Sequence, residues 1–542
     1  MSANKYRTIN KKNTLRENIL AVRVIAETIK TTLGPKGLQK MLVSDSKDIS
    51  ITDKGSTILS RINIQHPVAK LVVEASLVME KEDGDGTSTV VILVGELLKK
   101  AEELLDQGLH PTVIAEGYRI AHENAQRYLD NASFPLTEKN ILDLASTMIE
   151  GKISEKEVNH LSNLVVNAVT ISKKVENIKV VPRPGGNIGD SQLIEGVIID
   201  LGKRINKKMP SIVKNGRILL IDTDFVVKPV KEIKIKLQDP RNIGDFMDYK
   251  SRVLRIAVDM IVKSRANVVF CHKNIEELAG FFLSEKGILA VRDVDKDILT
   301  LLSKATGGRI VGNVKDIDSN TLGYAGIIME KKMGLEEIMY ILNCRNHNIT
   351  TILVRGGSEI VTLEISRRTE SMVSVISKAF SDKRCVPGGG ACEIGISRYV
   401  RDYALEVKRR HQLAINAYAD ALESIPKALA LNAGIEPLHT LAKLRKYHRD
   451  NKQTYGLDVR DGKLKHSLEA GIIESFKSKK HGLSIASELV NMILRIDEVL
   501  IAKGPNDGEK VQEPKIKAPS IPEGAVDFPA KGNKIDFRGL MT

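Results

Sequence analysis

Along this chain the period of the hydrophobic positions changes twice. In "TLRENILAVRVIAETIKTTLG" (14–34) apolar residues recur at helical spacing, and the stretch ends in Gly34-Pro35, a stop signal. "HPVAKLVVEASLVMEKE" and "PTVIAEGYRIAHENAQRYLDNA" repeat the pattern, so residues 15–145 read as mostly helical. Between them "ISITDKGSTILSRI" alternates and turns at Gly55, which predicts a short hairpin. After about residue 178 the character changes. "KVVPRPGGNIGDSQLIEGVIID" is strand-like around a glycine turn. "GRILLID", "ANVVFC", "GILAVRDV", "GGRIVGNV" and "ITTILVRGG" follow, separated by helical segments such as "IEELAGFFLSEK". That alternation predicts an α/β region. Within it, residues 239–265 form one long amphipathic helical stretch. From about residue 399 the helical period returns.

Helical, then α/β, then helical again is the pattern of one domain interrupted by another. Glycine pairs lie near both crossings, Gly185-Gly186 outbound and Gly356-Gly357 inbound. They suit a hinge, and ordinary turns explain them equally well. The tail from about residue 504, rich in Pro, Lys and Gly, reads as poorly ordered unless a neighbour captures it.

The stretch "EKEDGDGTSTVVILVGELL" (80–98) carries the first chemistry. Gly84 and Gly86 permit tight turns that point successive N–H groups into one concavity. Thr87, Ser88 and Thr89 supply N-cap chemistry, and Val90, Val91, Val94, Leu97 and Leu98 continue as a helix. A helix N-terminus behind a glycine turn attracts phosphate, and Asp85 beside it could hold Mg²⁺. An ordinary capped helix after a turn fits the same residues.

At 542 residues the chain is too long for one ordinary core, and 42% hydrophobic with 28% charged residues describes a soluble globular protein. No apolar stretch follows the basic start and no run approaches membrane-spanning length, so neither a signal peptide nor a membrane anchor is expected and the reading is cytoplasmic. Cys271, Cys344, Cys385 and Cys392 show no C-x-x-C pairing and read as reduced thiols. A net charge of +14 permits a nucleic-acid partner. However, the basic clusters are scattered, aromatic residues are 4% of the chain and tryptophan is absent, so a base-stacking platform is not expected.

The glycine signals are far more specific together than singly. "TTLGPKGLQKML", "GDGTST", "PGGGACE" and "GIIESF" occur in one order over a chain that goes out and returns. This resembles a group II chaperonin subunit, of the archaeal thermosome or eukaryotic cytosolic type, over about residues 5–502. The resemblance implies a multidomain α+β fold. Its parts would be a discontinuous helical equatorial domain (1–146 and 400–542), a small intermediate domain (147–215 and 365–399) and an α/β apical domain (216–364). A helical protrusion at about 231–264 would form part of a lid, with Ile243, Phe246 and Met247 as its packing stripe or its apolar contacts. The basic segment "YRTINKK" would pair with a neighbour as a strand.

The implied activity is ATP-driven folding of unfolded polypeptides inside two back-to-back rings, here in a mixed ring with paralogous subunits. Two alternatives are a self-sufficient homo-oligomeric ATPase and a structural or filament-forming ring protein that keeps ATP binding for assembly. Residue by residue, Thr32, Leu33, Gly34 and Pro35 would lie against ATP, and Asp85 would ligate Mg²⁺. Gly86, Thr87, Ser88 and Thr89 would bond phosphate oxygens, while Lys152 would sense the γ-phosphate. Gly389 would lie against the ribose and Glu474 would accept from its hydroxyls.

Two departures from the family pattern stand out. Where the family carries an acid before the glycine of "ITNDGATIL", this chain reads "ITDKGSTIL" and has Lys54. Where the family has an aspartate on the helix leading to Pro-Gly-Gly-Gly, this chain has Ser371. In the family these acids orient and activate the attacking water, so impaired hydrolysis is expected. Neither Asp53 nor Glu370 replaces them naturally. Each stands one residue early, which on a strand means the opposite face and on a helix about 100° of rotation.

Overall fold

The computed structural model describes residues 6–8, 14–44, 47, 49–199, 204–225, 240–313, 316–333, 336–407 and 409–502. The side chains of Ile243, Phe246 and Met247, the start of the expected protrusion and the tail from 504 lie outside the described residues. The chain divides into two compact units, one formed by 1–158 with 374–542 and the other by 159–373. It passes between them inside two helices, Glu155–Ser172 and Glu359–Asp382.

The first unit is built on the helices that the period of three to four predicts. Thr14–Lys30, Pro67–Asp83, Thr87–Asp106 and Pro111–Ala132 come from the N-terminal half. Ala391–Ala404, Arg409–Leu422 and Phe476–Ile493 come from the C-terminal half. The five residues Val90 to Val94 are all buried, so Thr87–Asp106 is apolar on every side there and runs through the core. Tyr118, Tyr418 and Phe476 close around it, which is how segments from opposite ends of the sequence share one core.

One expectation here needs correction. Gly55 does not turn a hairpin: it opens the helix Gly55–Arg61, and the strand Ile49–Thr52 pairs instead with Lys40–Val43 before it. The reason is packing, because a Cβ on Gly55 would lie 2.7 Å from Ser88 Oγ, so the chain must come flush against the helix Thr87–Asp106. The N-terminal strand Tyr6–Thr8 forms and pairs antiparallel with Leu500–Ala502 of the same chain.

The second unit is a nine-stranded mixed sheet. Its order is Ile178–Pro184, Thr350–Gly356, Gln192–Ile199, Glu336–Cys344, Gly323–Met333, Ile212–Ile221, Val268–Cys271 and Leu289–Val291, with Ile310–Val311 also on Ile212–Ile221. All four residues of Val268–Cys271 are buried, as expected for a strand covered on both faces. Leu254, Val258 and Ile261 of the helix Pro240–Lys263 join that core, so the later part of the long amphipathic stretch belongs to the body of this unit. The glycine pairs lie within this unit and are bonded together, Gly185 N–H donating to Gly356 O at 2.7 Å. Turns at the ends of two paired parallel strands account for them.

Candidate nucleotide-binding site

The site forms in the first unit where helix ends and glycine turns meet. Gly84 ends the helix Pro67–Asp83 at φ 77°, and Gly86 begins Thr87–Asp106 at φ 82°; both are left-handed values that favour glycine. Asp85 stands exposed between the two helix ends. Thr87, Ser88 and Thr89 are not the cap, as the sequence suggested. They are the first helical residues behind Gly86, which has no side chain to cap them. The first-turn N–H groups of a long helix are thus presented beside a carboxylate, an arrangement that fits a magnesium-bound phosphate group. Among the described residues no three His, Cys, Asp or Glu side chains gather to hold a metal alone. One carboxylate completed by phosphate oxygens and water is magnesium's ordinary mode.

A second wall comes from the loop 31–37 after the helix Thr14–Lys30. Thr32 Oγ1 donates to Ile29 O at 2.7 Å, and Asn432 Nδ2 donates to the carbonyls of Lys30 and Leu33, each at 2.9 Å. Gly34 adopts φ 82° ahead of Pro35. A Cβ on Gly151 would lie 2.4 Å from Pro35 O, so the loop carrying Lys152 presses directly on this turn. Lys152 Nζ then donates to Gly37 O at 2.8 Å and lies 2.6 Å from Asp53 Oδ2, with both side chains nearly buried.

Asp53 therefore reaches this wall, contrary to the opposite-face argument. The strand stops at Thr52, and alternation does not extend past its end. Lys54 turns elsewhere, its ammonium paired with Glu80 Oε1, while Ser56 Oγ donates to Glu80 Oε2 at 3.2 Å. No carboxylate occupies position 54, and the lysine there is held by an acid of the later helix Pro67–Asp83. Ser371 lies on Glu359–Asp382, where its Oγ donates to Arg367 O at 3.1 Å.

The third wall is a small sheet in which Arg384–Pro387 pairs with Ile473–Ser475, placing Val386 opposite Glu474. Gly388 N–H donates to Ile472 O at 2.9 Å, and Leu457 N–H donates to Gly389 O at 2.8 Å. Gly389 has φ 66°, and a Cβ there would lie 2.6 Å from Leu457 O, so only glycine fits. A Cβ on Gly388 would lie 3.3 Å from Glu474 Oε1, which puts the acid beside the glycine turn. Burial pushes the Glu474 carboxyl up; Lys479 opposes this, and Glu393 and Asp85 add to it.

The structure thus brings the loop 32–35, Lys152 and Asp53 together, joins Gly55 to Ser88, and sets Glu474 beside Gly388-Gly389. Sequence reasoning missed Glu393, Lys479 and the pair Asp83–His481. His481 Nδ1 meets Asp83 Oδ2 just ahead of the Gly84 turn, with Asp83 1% exposed. The one available signal was a buried-type acid in "EDGDG", which the phosphate motif around it obscured.

Glycine turns at helix ends on a discontinuous helical unit, with a separate sheet unit inserted, fit the chaperonin plan. The chain belongs to the TCP-1/cpn60 chaperonin family, whose family model matches residues 25–504. Within it the chain is a group II subunit of the thermosome type. It is 42% identical to thermosome subunit alpha of Archaeoglobus fulgidus over 502 residues, covering 90% of this chain and 92% of the relative. It is also 42% identical to the thermosome subunit of Methanopyrus kandleri (90% and 92% covered) and to thermosome subunit beta of Methanothermobacter thermautotrophicus (92% and 94% covered).

Proposed function

We propose that this chain is an ATP-binding subunit of a double-ring chaperonin that encloses unfolded polypeptides and works beside paralogous subunits that hydrolyse ATP faster. The observation that carries this reading is the pairing of Lys54 with Glu80 beside the glycine turn and first helical turn at residues 84–89. ATP and Mg²⁺ would be held by the loop 32–35, Asp85, the first turn 87–89 and Lys152, with Gly389 and Glu474 at the ribose. Bound Mg²⁺ would neutralise phosphate charge. The protein's own groups would orient the phosphates, and Lys152 would have to leave Asp53 to reach them. The division into equatorial, intermediate and apical domains belongs to the same proposal.

Exposed apolar side chains support the two kinds of partner. In the second unit Tyr249, Ile256 and Phe281 lie open on neighbouring helices, a surface suited to unfolded chains. In the first unit Met41, Val43 and Ile49 are 63%, 64% and 50% exposed on a two-stranded hairpin, a surface suited to an adjacent subunit. Changing Met41 and Val43 together to aspartate is expected to release monomers in analytical ultracentrifugation while ATP still binds. Intact rings from that variant would remove the hairpin from the subunit contact. Among the described residues no helix is long and apolar enough to cross a membrane. The likeness to thermosome subunits supports a cytosolic assignment.

A second reading, a self-sufficient homo-oligomeric ATPase, is favoured by Asp53, whose carboxylate lies in the site wall beside Lys152. Purification without tags on partner subunits separates the two readings. Paralogous subunits recovered with the chain support the mixed ring, and a homo-oligomer with fast turnover supports the second.

A further inference from the structure

Lys479 stands in the first turn of Phe476–Ile493, immediately after the strand that carries Glu474. Its ammonium lies 2.5 Å from Glu393 Oε1 and also meets Glu474 Oε2. The side chains of Lys479 and Glu393 are only 8% and 2% exposed, whereas Glu474 keeps a third of its surface open. Glu393 belongs to the first turn of Ala391–Ala404, directly behind the Gly388-Gly389-Gly390 turn. One ammonium therefore ties together two helix N-termini and the strand between them.

Folding alone does not call for this arrangement. A buried ion cluster is commonly no more stable than apolar side chains of the same volume, so its retention asks for another reason. The chemistry supplies one. Lys479 meets Oε2 of Glu474, and the other carboxylate oxygen, Oε1, keeps its lone pairs for an outside donor. That oxygen is the one beside Gly388. Burial works against the charge on Lys479, but Glu393 and Glu474 together hold it well above the ordinary lysine range, so the clamp stays cationic.

We propose that Lys479 is a positioning residue that sets the preference of this site for ribonucleotides, by fixing Glu474 with one carboxylate oxygen presented to the ribose hydroxyls. Glu393 holds Lys479 in turn. The inference rests on the reading of Gly389 and Glu474 as ribose contacts. Removing Lys479 leaves two carboxylates facing each other across the space it filled, and Glu474 then turns away from the ribose or takes up a proton, which replaces a charged acceptor by a weaker neutral one. Either result lowers the penalty for a missing hydroxyl. The predicted phenotype is a loss of discrimination between sugars at nearly constant affinity for the deoxy analogue.

The test is direct binding of ATP and 3′-deoxy-ATP, with Mg²⁺, to the full-length protein by calorimetry. The unmodified chain is expected to prefer ATP by about 10-fold or more, the value of a hydrogen bond to a charged acceptor. Glu474→Ala should reduce the preference to within about 3-fold, Lys479→Met should do the same, and the double variant should lose no more. Lys479→Arg should retain most of it. If Glu474→Ala leaves the preference intact, the ribose reading itself fails and the inference falls with it. If Glu474→Ala removes it and Lys479→Met does not, the ribose reading stands and the role of Lys479 is overturned. Equal weakening of both nucleotides by Lys479→Met would mark a merely structural lysine and also overturn it. Should Lys479→Met fold poorly, Lys479→Met with Glu393→Gln removes the uncompensated buried charge and carries the same comparison.

Discussion

Replacing Asp85 by alanine is expected to weaken Mg-ATP binding by about 100-fold or more while leaving the subunit folded. The carboxylate is exposed between two helix ends and contributes no packing, so its loss should change stability by less than about 0.5 kcal/mol. Its electrostatic effect depends on the metal. With Mg²⁺ present the carboxylate would share the cation with the phosphates; without Mg²⁺ it would only repel them. Free ATP in a chelator should therefore bind the variant at least as well as the unmodified protein. The quantity to measure is the gain in affinity on adding Mg²⁺, which should vanish in Asp85→Ala. If that gain persists, the cradle formed by residues 84–89 is not the magnesium site.

The elements were legible where the chain is periodic and the site where it is glycine-rich. The helices Pro67–Asp83 and Pro111–Ala132 follow their apolar spacing, and Gly84, Gly86 and Gly389 adopt the left-handed backbone that their motifs suggest. What the sequence hid depends on where regular structure stops. Asp53 could not be placed because the face rule holds only inside a strand, and the strand ends at Thr52. Gly55 was misread as a turn because its real constraint, contact with Ser88, comes from another segment. The clamp of Lys479 between Glu393 and Glu474 was hidden for the same reason. Long-range ion pairs have no local period, and a lysine in "KSKKHG" looks like any solvated charge.

Binding and hydrolysis should come apart in the unmodified subunit: close to one ATP held per chain, with slow cleavage in a single-turnover assay. A protonated lysine cannot take a proton from water, and serine at position 371 supplies no carboxylate. Restoring the acids is less simple than exchanging two side chains. Lys54 is the partner of Glu80, so Lys54→Asp alone sets a second carboxylate against that acid and frees no base. The variant expected to work is Lys54→Asp with Glu80→Gln and Ser371→Asp, and it should raise the cleavage rate by about 10²-fold or more, the usual value of a positioned base. Lys54→Asp by itself should gain less than the same change made with Glu80→Gln. That order is a consequence of the observed pairing and would not be expected if the lysine pointed into solvent. The opposite result has a defined source. If the unmodified chain cleaves ATP as fast as the triple variant and Asp53→Asn abolishes the activity, then Lys152 has released Asp53 to act as the base. The subunit would then be a competent ATPase on its own, and the slow-hydrolysis proposal would be wrong.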